Sequence, residues 1–425
     1  MPILLLIVYV SVFTFCLSRD AIYSYDTYDY LKAMPYRQLG YVIFVKTFGF
    51  IFGSIFDVAV VMFQTLFSLS AIHYFYNKVT TLFSLNVLLK LMLIALLIFP
   101  FFQPLNITNN ICSEGLSYGL YLLFIAIGLD LLFNDKSKQL KYFALVYLAL
   151  IFMRGQFFFT TLIFAFTYFL IHRKEITTKK HIINLAVFIV IPLFASLSER
   201  TYHKLKDGFF KTTPLGFVSA STAPFYLSSK SDADFIKNED SRAIFELCYD
   251  LLERKNLLLS SRDDSEKPYP FFHNNLPKIC NQTIHASGKA YFQSKNPETS
   301  NNPKRAVAKA YFDIEAACKD ITISLIKANF SKWIDLYYNN ISYGFYSPVV
   351  LVVVLLILIF SFIKTLFSYH KRYAIIFLLS CLTLSNAMLI AFASHSIMRY
   401  LFYNYVLLFL LLIGIIKLIK RESKY

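Results

Sequence analysis

The sequence predicts an all-α integral membrane protein of about ten transmembrane helices, with a mostly helical external domain inserted before the last three spans. Two observations predict it. The chain is 57% hydrophobic and 18% aromatic but only 16% charged, which leaves too little polar surface for a soluble protein of 425 residues. The apolar residues come in runs of about 17 to 22, roughly what a helix needs to cross ~30 Å of hydrocarbon, and short basic connectors separate them. Alternating strand periodicity is absent from the sequence, which argues against a β-barrel.

In chain order the expected spans fall near 2–17, 57–76, 84–103, 115–133, 142–153, 156–172, 182–197, 347–367, 374–392 and 400–417. The first lacks a basic leader and a small-x-small cleavage site before Ser18-Arg19, so it reads as a retained helix. The fifth ends at Met153-Arg154-Gly155, which predicts a tight hairpin with the sixth. Between the first two spans, residues 18–56 hold three carboxylates and six tyrosines, then an apolar run from Tyr41 to Phe56 broken by Lys46, Gly49 and Gly53. Only Asp57 separates that run from the next span, which predicts a helix lying along the outer interface.

This divides the chain into an N-terminal transmembrane module (1–197), an external domain (198–345) and a C-terminal transmembrane module (346–425). Within 198–345, Ser241–Leu259 and Ala306–Tyr338 repeat apolar residues at helical spacing, whereas 260–303, rich in Ser, Asp, Asn and Pro, reads as an irregular lobe. With the N-terminus inside, the short cytoplasmic connectors hold 15 Lys plus Arg and the external ones 6, which places both termini in the cytoplasm. The net charge of +16 belongs mostly to these anchors, because 198–345 carries only +3; nothing points to nucleic acid. The six cysteines show no CxxC pair or metal spacing. Cys112, Cys248, Cys280 and Cys318 would face the compartment where disulfides form, in a pairing the sequence leaves open. Sequons start at Asn106, Asn281, Asn329 and Asn340 and carry meaning only in a glycosylating compartment.

Four short motifs sit at the expected external boundary: Asp26-Thr-Tyr-Asp29-Tyr30-Leu31 followed by Arg37-Gln-Leu-Gly40-Tyr41; Ser113-Glu114 opening the fourth span; Met153-Arg154-Gly155; and His395-Ser-Ile-Met-Arg399-Tyr400 opening the last. In order and placement this arrangement resembles the GT-C superfamily of polytopic glycosyltransferases. That superfamily uses polyprenyl-phosphate-linked sugars and includes protein O-mannosyltransferases and the aminoarabinose transferases of lipid A. Val42 stands where the family has a proline, as does Gly155, and residues 198–345 lie outside the likeness.

The resemblance implies an inverting sugar transfer from a polyprenyl-phosphate donor to a glycan, lipid or protein acceptor at the external face of a bacterial inner membrane. Such a transfer needs a base for the acceptor's proton and positive charge for the departing phosphate. Asp26 is the leading base candidate, with a helix N-cap as its plainer role. Asp29 is a second candidate base, or a solvated turn residue. Glu114 can assist acid-base chemistry or hold a divalent cation, Mg²⁺ or Mn²⁺, although no second ligand set marks a metal site; it also suits a helix N-terminus. Arg37, Arg154, His395 and Arg399 are candidate phosphate ligands, against the alternative that they snorkel to lipid headgroups. Tyr30 and its neighbouring tyrosines can stack on a sugar or form an interfacial belt. Lys90, inside the third span, has a buried carboxylate or a lipid phosphate as its candidate partner. The rival functions are an O-antigen-type polymerase or ligase, expected to keep its key arginines in the large loop, and a lipid-linked saccharide transporter, expected to bury charge at midplane. A structural subunit with a decayed site is a further alternative.

Overall fold

A computed structural model describes residues 2–134, 136–295, 303–368 and 370–422. The protein is 81% helical with no strands among the described residues; one isolated bridge joins Ile22 to Asn110. Six helical stretches are long and apolar enough to cross a membrane: Leu39–Leu82, Glu114–Phe133, Gly155–His172, Lys179–Asp207, Pro348–Phe367 and Lys371–Ala393. Four shorter apolar helices, Pro2–Leu17, Val87–Phe101, Leu140–Met153 and Tyr403–Ile419, cover the remaining expected spans. At 16 and 14 residues, Pro2–Leu17 and Leu140–Met153 reach only about 24 and 21 Å, short of ~30 Å of hydrocarbon.

The chain forms two compact units. The first comprises Met1–Leu197, Val353–Asn386 and Met398–Tyr425. Its helices in chain order are α1 (Pro2–Leu17), α2 (Tyr25–Leu31), α3 (Leu39–Phe52), α4 (Phe56–Leu82), α5 (Val87–Ile98), α6 (Glu114–Phe133), α7 (Leu140–Met153) and α8 (Thr160–His172), then most of α9 (Lys179–Asp207). α6 is the hub: nearly all its side chains are buried, and glycines let its neighbours approach closely. A Cβ on Gly115 would lie 2.5 Å from the Gln64 side chain of α4, and one on Gly128 would lie 2.2 Å from Phe164 of α8. α3 and α4 are not one continuous span. Gly53, at φ +50°, breaks the helix in a region open to glycine, and the Phe44 and Phe48 rings then pack 5.6 and 5.2 Å from Phe63, so α3 folds back along α4.

The second unit comprises Ser198–Val352 and Ala387–Ile397. It holds α10 (Gly216–Ala220), α11 (Thr222–Leu227), α12 (Glu239–Arg254), α13 (Pro268–Ile279), α14 (Ala286–Lys295), α15 (Pro303–Ala328) and α16 (Phe330–Gly344) around a core that includes Phe225, Ile244, Phe245, Leu252, Phe272 and Ile314. The long helical pattern Ala306–Tyr338 is two helices, broken at Asn329. The expected irregular lobe is instead largely helical. Pro268 sits at the first position of α13, where no amide hydrogen is needed, while Tyr269, Phe272, Leu276 and Ile279 form its buried stripe. The interior Pro277 is followed by a π-helical turn, Cys280–His285, that carries the chain into α14. Residues 296–302 of that lobe lie outside the described residues. All six cysteines are free thiols, so none of the disulfides left open by the sequence is formed. The C-terminal helices are α17 (Pro348–Phe367), α18 (Lys371–Ala393), α19 (Met398–Leu401) and α20 (Tyr403–Glu422).

Candidate functional site

The site begins with two loops zipped together. The Ile22 amide donates to the Asn109 carbonyl (2.7 Å), the Ile111 amide donates to the Ile22 carbonyl (3.1 Å), and the Asn109 amide group donates to the Cys16 carbonyl at the end of α1 (2.8 Å). This pairing lays the start of the first loop beside Cys112-Ser113-Glu114. α2 then starts at Ser24, whose backbone N–H donates to Thr27 Oγ1 (3.0 Å). Ser24 therefore holds the N-cap position, and Asp26 is a first-turn residue whose carboxylate is engaged elsewhere. Below it, Tyr41 donates to Gln64 Oε1 (2.9 Å) and Gln64 Nε2 donates to the Thr108 carbonyl (2.9 Å), which fixes α3, α4 and the second loop to one another.

Three more elements deliver the arginines. Arg37 precedes α3, whose Gly40 lies against the end of α7; a Cβ there would come within 2.9 Å of the Phe152 carbonyl oxygen. Arg154 follows α7 directly, in an extended conformation, and its Nε donates to Gln156 Oε1 (2.9 Å). Gln156 in turn donates to Asn386 Oδ1 (3.2 Å) and to the Tyr400 carbonyl (3.4 Å). Arg399 lies on α19, ahead of α20, which is anchored to α6 by the Ser117–Tyr403 hydroxyl contact (2.7 Å).

These side chains form an alternating chain of charge, Asp29–Arg37–Asp26–Arg399–Glu114–Arg154. Arg37 Nη2 donates to Asp29 Oδ2 and to Asp26 Oδ1, both at 2.6 Å. Arg399 Nη2 donates to Asp26 Oδ2 at 2.6 Å, while its Nε donates to Glu114 Oε1. Arg154 Nη1 reaches the same Glu114 oxygen at 2.7 Å. Glu114 is buried, but the Arg399 and Asp26 side chains stay 35% and 26% exposed, so the middle of the chain is open to a ligand. Arg37 stacks over the rings of Tyr30 and Tyr36 (5.1 and 5.2 Å), and its Nε is buried with no partner.

The ion pairs set the protonation states. Burial alone would raise the Asp26 pKa, but Arg37 and then Arg399 outweigh it and hold the carboxyl below its ordinary value. Burial opposes the charge on Arg399 and Arg37 too, and Glu114 and Asp26 respectively more than restore it. Tyr30 is pushed up to about 12, by burial first and then by Cys112. It packs edge-on to Tyr41 (4.7 Å) in a buried cluster, a position for fixing Arg37 more than for stacking on a sugar.

Comparison with known protein families, curated proteins and solved structures finds no match. The site must therefore be read from its own chemistry. Seven of the eight residues singled out in the sequence, Asp26, Asp29, Tyr30, Arg37, Glu114, Arg154 and Arg399, meet in this network. His395 does not. It belongs to the second unit, where its ring lies 4.6 Å from that of His273 and its Nδ1 is 3.1 Å from the His273 carbonyl oxygen. Burial and then His273 push it down to about 4, so it is neutral near pH 7 and offers no charge to a phosphate. Sequence reasoning missed Cys112, whose Sγ is 3.2 Å from Arg399 Nη2, and also Gln156; the adjacency of Cys112 to Ser113-Glu114 was the available signal. Among the described residues, no group of three or more His, Cys, Asp and Glu side chains could hold a metal ion.

Proposed function

We propose that this protein is a membrane glycosyltransferase of about ten spans, acting at the external face of a bacterial inner membrane, with both termini cytoplasmic and residues 198–345 on the external side. It moves a sugar from a polyprenyl-phosphate donor to a hydroxyl of a glycan, lipid or protein. The observation that carries this reading is the convergence of three guanidiniums and three carboxylates from five separated stretches of sequence at the N-terminal end of α6.

The donor's phosphate competes with Asp26 for Arg399 and Arg37, whose planar forks match phosphate oxygens. As Arg399 turns to the phosphate, Asp26 loses a cation that lowers its pKa and becomes a stronger base. The acceptor oxygen then attacks the anomeric carbon, its proton passes to an Asp26 oxygen, and the sugar–phosphate C–O bond breaks. The negative charge left on the polyprenyl phosphate is met by the arginines. Glu114, held between Arg399 and Arg154, positions the former.

A second reading takes the balance of three positive and three negative charges as a lock joining loops, with no turnover. The test is the purified protein in proteoliposomes with a panel of polyprenyl-phosphate sugars, following release of polyprenyl phosphate and its binding. Release with at least one donor is expected; absence of both release and binding across the panel would leave only the lock.

A further inference from the structure

A second feature of the first unit lies far from this network. A cavity of about 820 Å³ opens between α1 and α4, and apolar side chains between Pro2 and Phe13 and at Leu66 and Leu69 make up half of its lining residues. That volume lies within the ~300–1,000 Å³ of pockets that enclose a small ligand. Its polar lining is confined to Tyr9, Ser70, His73, Tyr76, Asn77, Thr80 and, from α5, Lys90. Asn77 is 13 residues beyond Gln64 on α4, about 20 Å along the helix, so this end is well separated from the carboxylate–arginine chain.

Three facts point to an anionic, amphiphilic occupant. No carboxylate lines the cavity, and Lys90 has no ion-pair partner among the described residues, although it stands in a helix of otherwise apolar residues. Lys90 is the fourth residue of α5, one turn from the helix start, at the level where a lysine meets lipid headgroups. Among the described residues, the hydroxyls of Tyr9 and Tyr76, both on lining residues, are buried without a hydrogen-bond partner, an unfavourable placement for a polar group. His73 and Asn77 satisfy each other (2.9 Å) and extend the polar end. α1 and α4 run antiparallel, with Tyr9 beside His73, so Phe13, Leu66 and Leu69 lie toward the other end, a surface suited to a hydrocarbon chain.

We infer that this cavity holds one anionic glycerophospholipid, its phosphate against the Lys90 ammonium with the Tyr9 and Tyr76 hydroxyls close by, and one acyl chain along the leucine and phenylalanine wall. Basic pockets between membrane helices recognise phospholipid headgroups by the same chemistry. The inference needs only that these helices lie in a membrane and is independent of the transfer reaction.

The test is native mass spectrometry of the full-length protein in detergent, titrated separately with phosphatidylglycerol, phosphatidylcholine, farnesyl phosphate and inorganic phosphate. Wild type should retain phosphatidylglycerol roughly five- to tenfold better than phosphatidylcholine. Lys90→Gln should abolish that preference, and Lys90→Arg should keep it. Tyr9→Phe combined with Tyr76→Phe should weaken it with Lys90 intact, which covers the case of a Lys90→Gln protein that folds poorly. Equal retention of the two phospholipids, or a preference that survives Lys90→Gln, would overturn the inference. Tighter binding of farnesyl phosphate than of phosphatidylglycerol would reassign the cavity to a polyprenyl phosphate, and saturation by inorganic phosphate would make it a free-anion site; either result rejects the phospholipid.

Discussion

Arg399 is the residue on which the network turns, because one guanidinium serves two carboxylates, Asp26 through Nη2 and Glu114 through Nε. Removing one partner of a buried ion pair costs about 3–5 kcal/mol. Two features reduce that figure here: the Arg399 side chain is 35% exposed, and Arg154 still pairs with Glu114 at 2.7 Å. Arg399→Ala should therefore destabilise the protein by about 1–3 kcal/mol. Lysine keeps the charge but loses the planar fork that presents Nη2 to Asp26 and Nε to Glu114 from separate positions, so Arg399→Lys should recover less than half of the loss. Equilibrium unfolding in mixed micelles of wild type, Arg399→Ala, Glu114→Ala and the double variant reads the coupling between the pair. A coupling above ~1 kcal/mol is expected, and additivity within ~0.5 kcal/mol would refute the claim that Arg399 and Glu114 act as a pair. In transfer assays Arg399→Ala should also weaken donor binding more than Arg399→Lys does; wild-type donor affinity in the alanine variant would return Arg399 to the role of an interfacial anchor.

Gly40→Ala would place a Cβ 2.9 Å from the Phe152 carbonyl oxygen, which neither backbone can easily avoid, so a loss of about 1–3 kcal/mol is expected in the same unfolding assay, whereas Gly49→Ala, whose Cβ would meet Phe56 Cδ2 at an ordinary 3.9 Å, should cost far less. Asp26 is held below its ordinary pKa in the folded state, so its contribution to stability is complete above the unfolded value of ~3.9 and is lost as pH falls through the folded value; unfolding midpoints measured down from pH 6 should drop in wild type more steeply than in Asp26→Asn. Single cysteines at Lys138 and Lys179 should be labelled by an impermeant thiol reagent only from the cytoplasmic side, and one at Ser231 only from outside. Labelling of Ser231 from the cytoplasm would invert the topology and the site's assignment to the external face.

Helix positions in the first unit were legible because membrane helices announce themselves by length and apolarity alone. The expected 115–133 is α6, Glu114–Phe133, and the break at Arg154-Gly155 lies where the sequence put it. Tertiary accommodation was not legible. The span expected at 84–103 begins three residues later, after the Asn86 side chain caps α5, and a 3₁₀ turn at Phe99–Phe101 ends it. In the second unit, the proline and asparagine content of 260–295 outweighed a helical stripe that was present all along, because Pro268 occupies a first-turn position that tolerates proline. At the site, residue types and boundary depth were enough to single out the charged members. The partner choices, such as Arg399 rather than Arg37 bridging to Glu114, depend on the zipped Ile22–Asn110 loops, whose pairing has no sequence signal.

The measurement that bears most directly on the proposed mechanism is the turnover and donor affinity of Asp26→Asn. Asparagine keeps the size of the side chain but cannot accept the acceptor's proton, and it releases part of the hold on Arg399 and Arg37. In proteoliposomes supplied with a competent polyprenyl-phosphate sugar, the folded variant should turn over at least ~10²-fold more slowly than wild type while binding the donor as tightly or more tightly. Near-normal transfer by Asp26→Asn protein would contradict the account and remove Asp26 as the base.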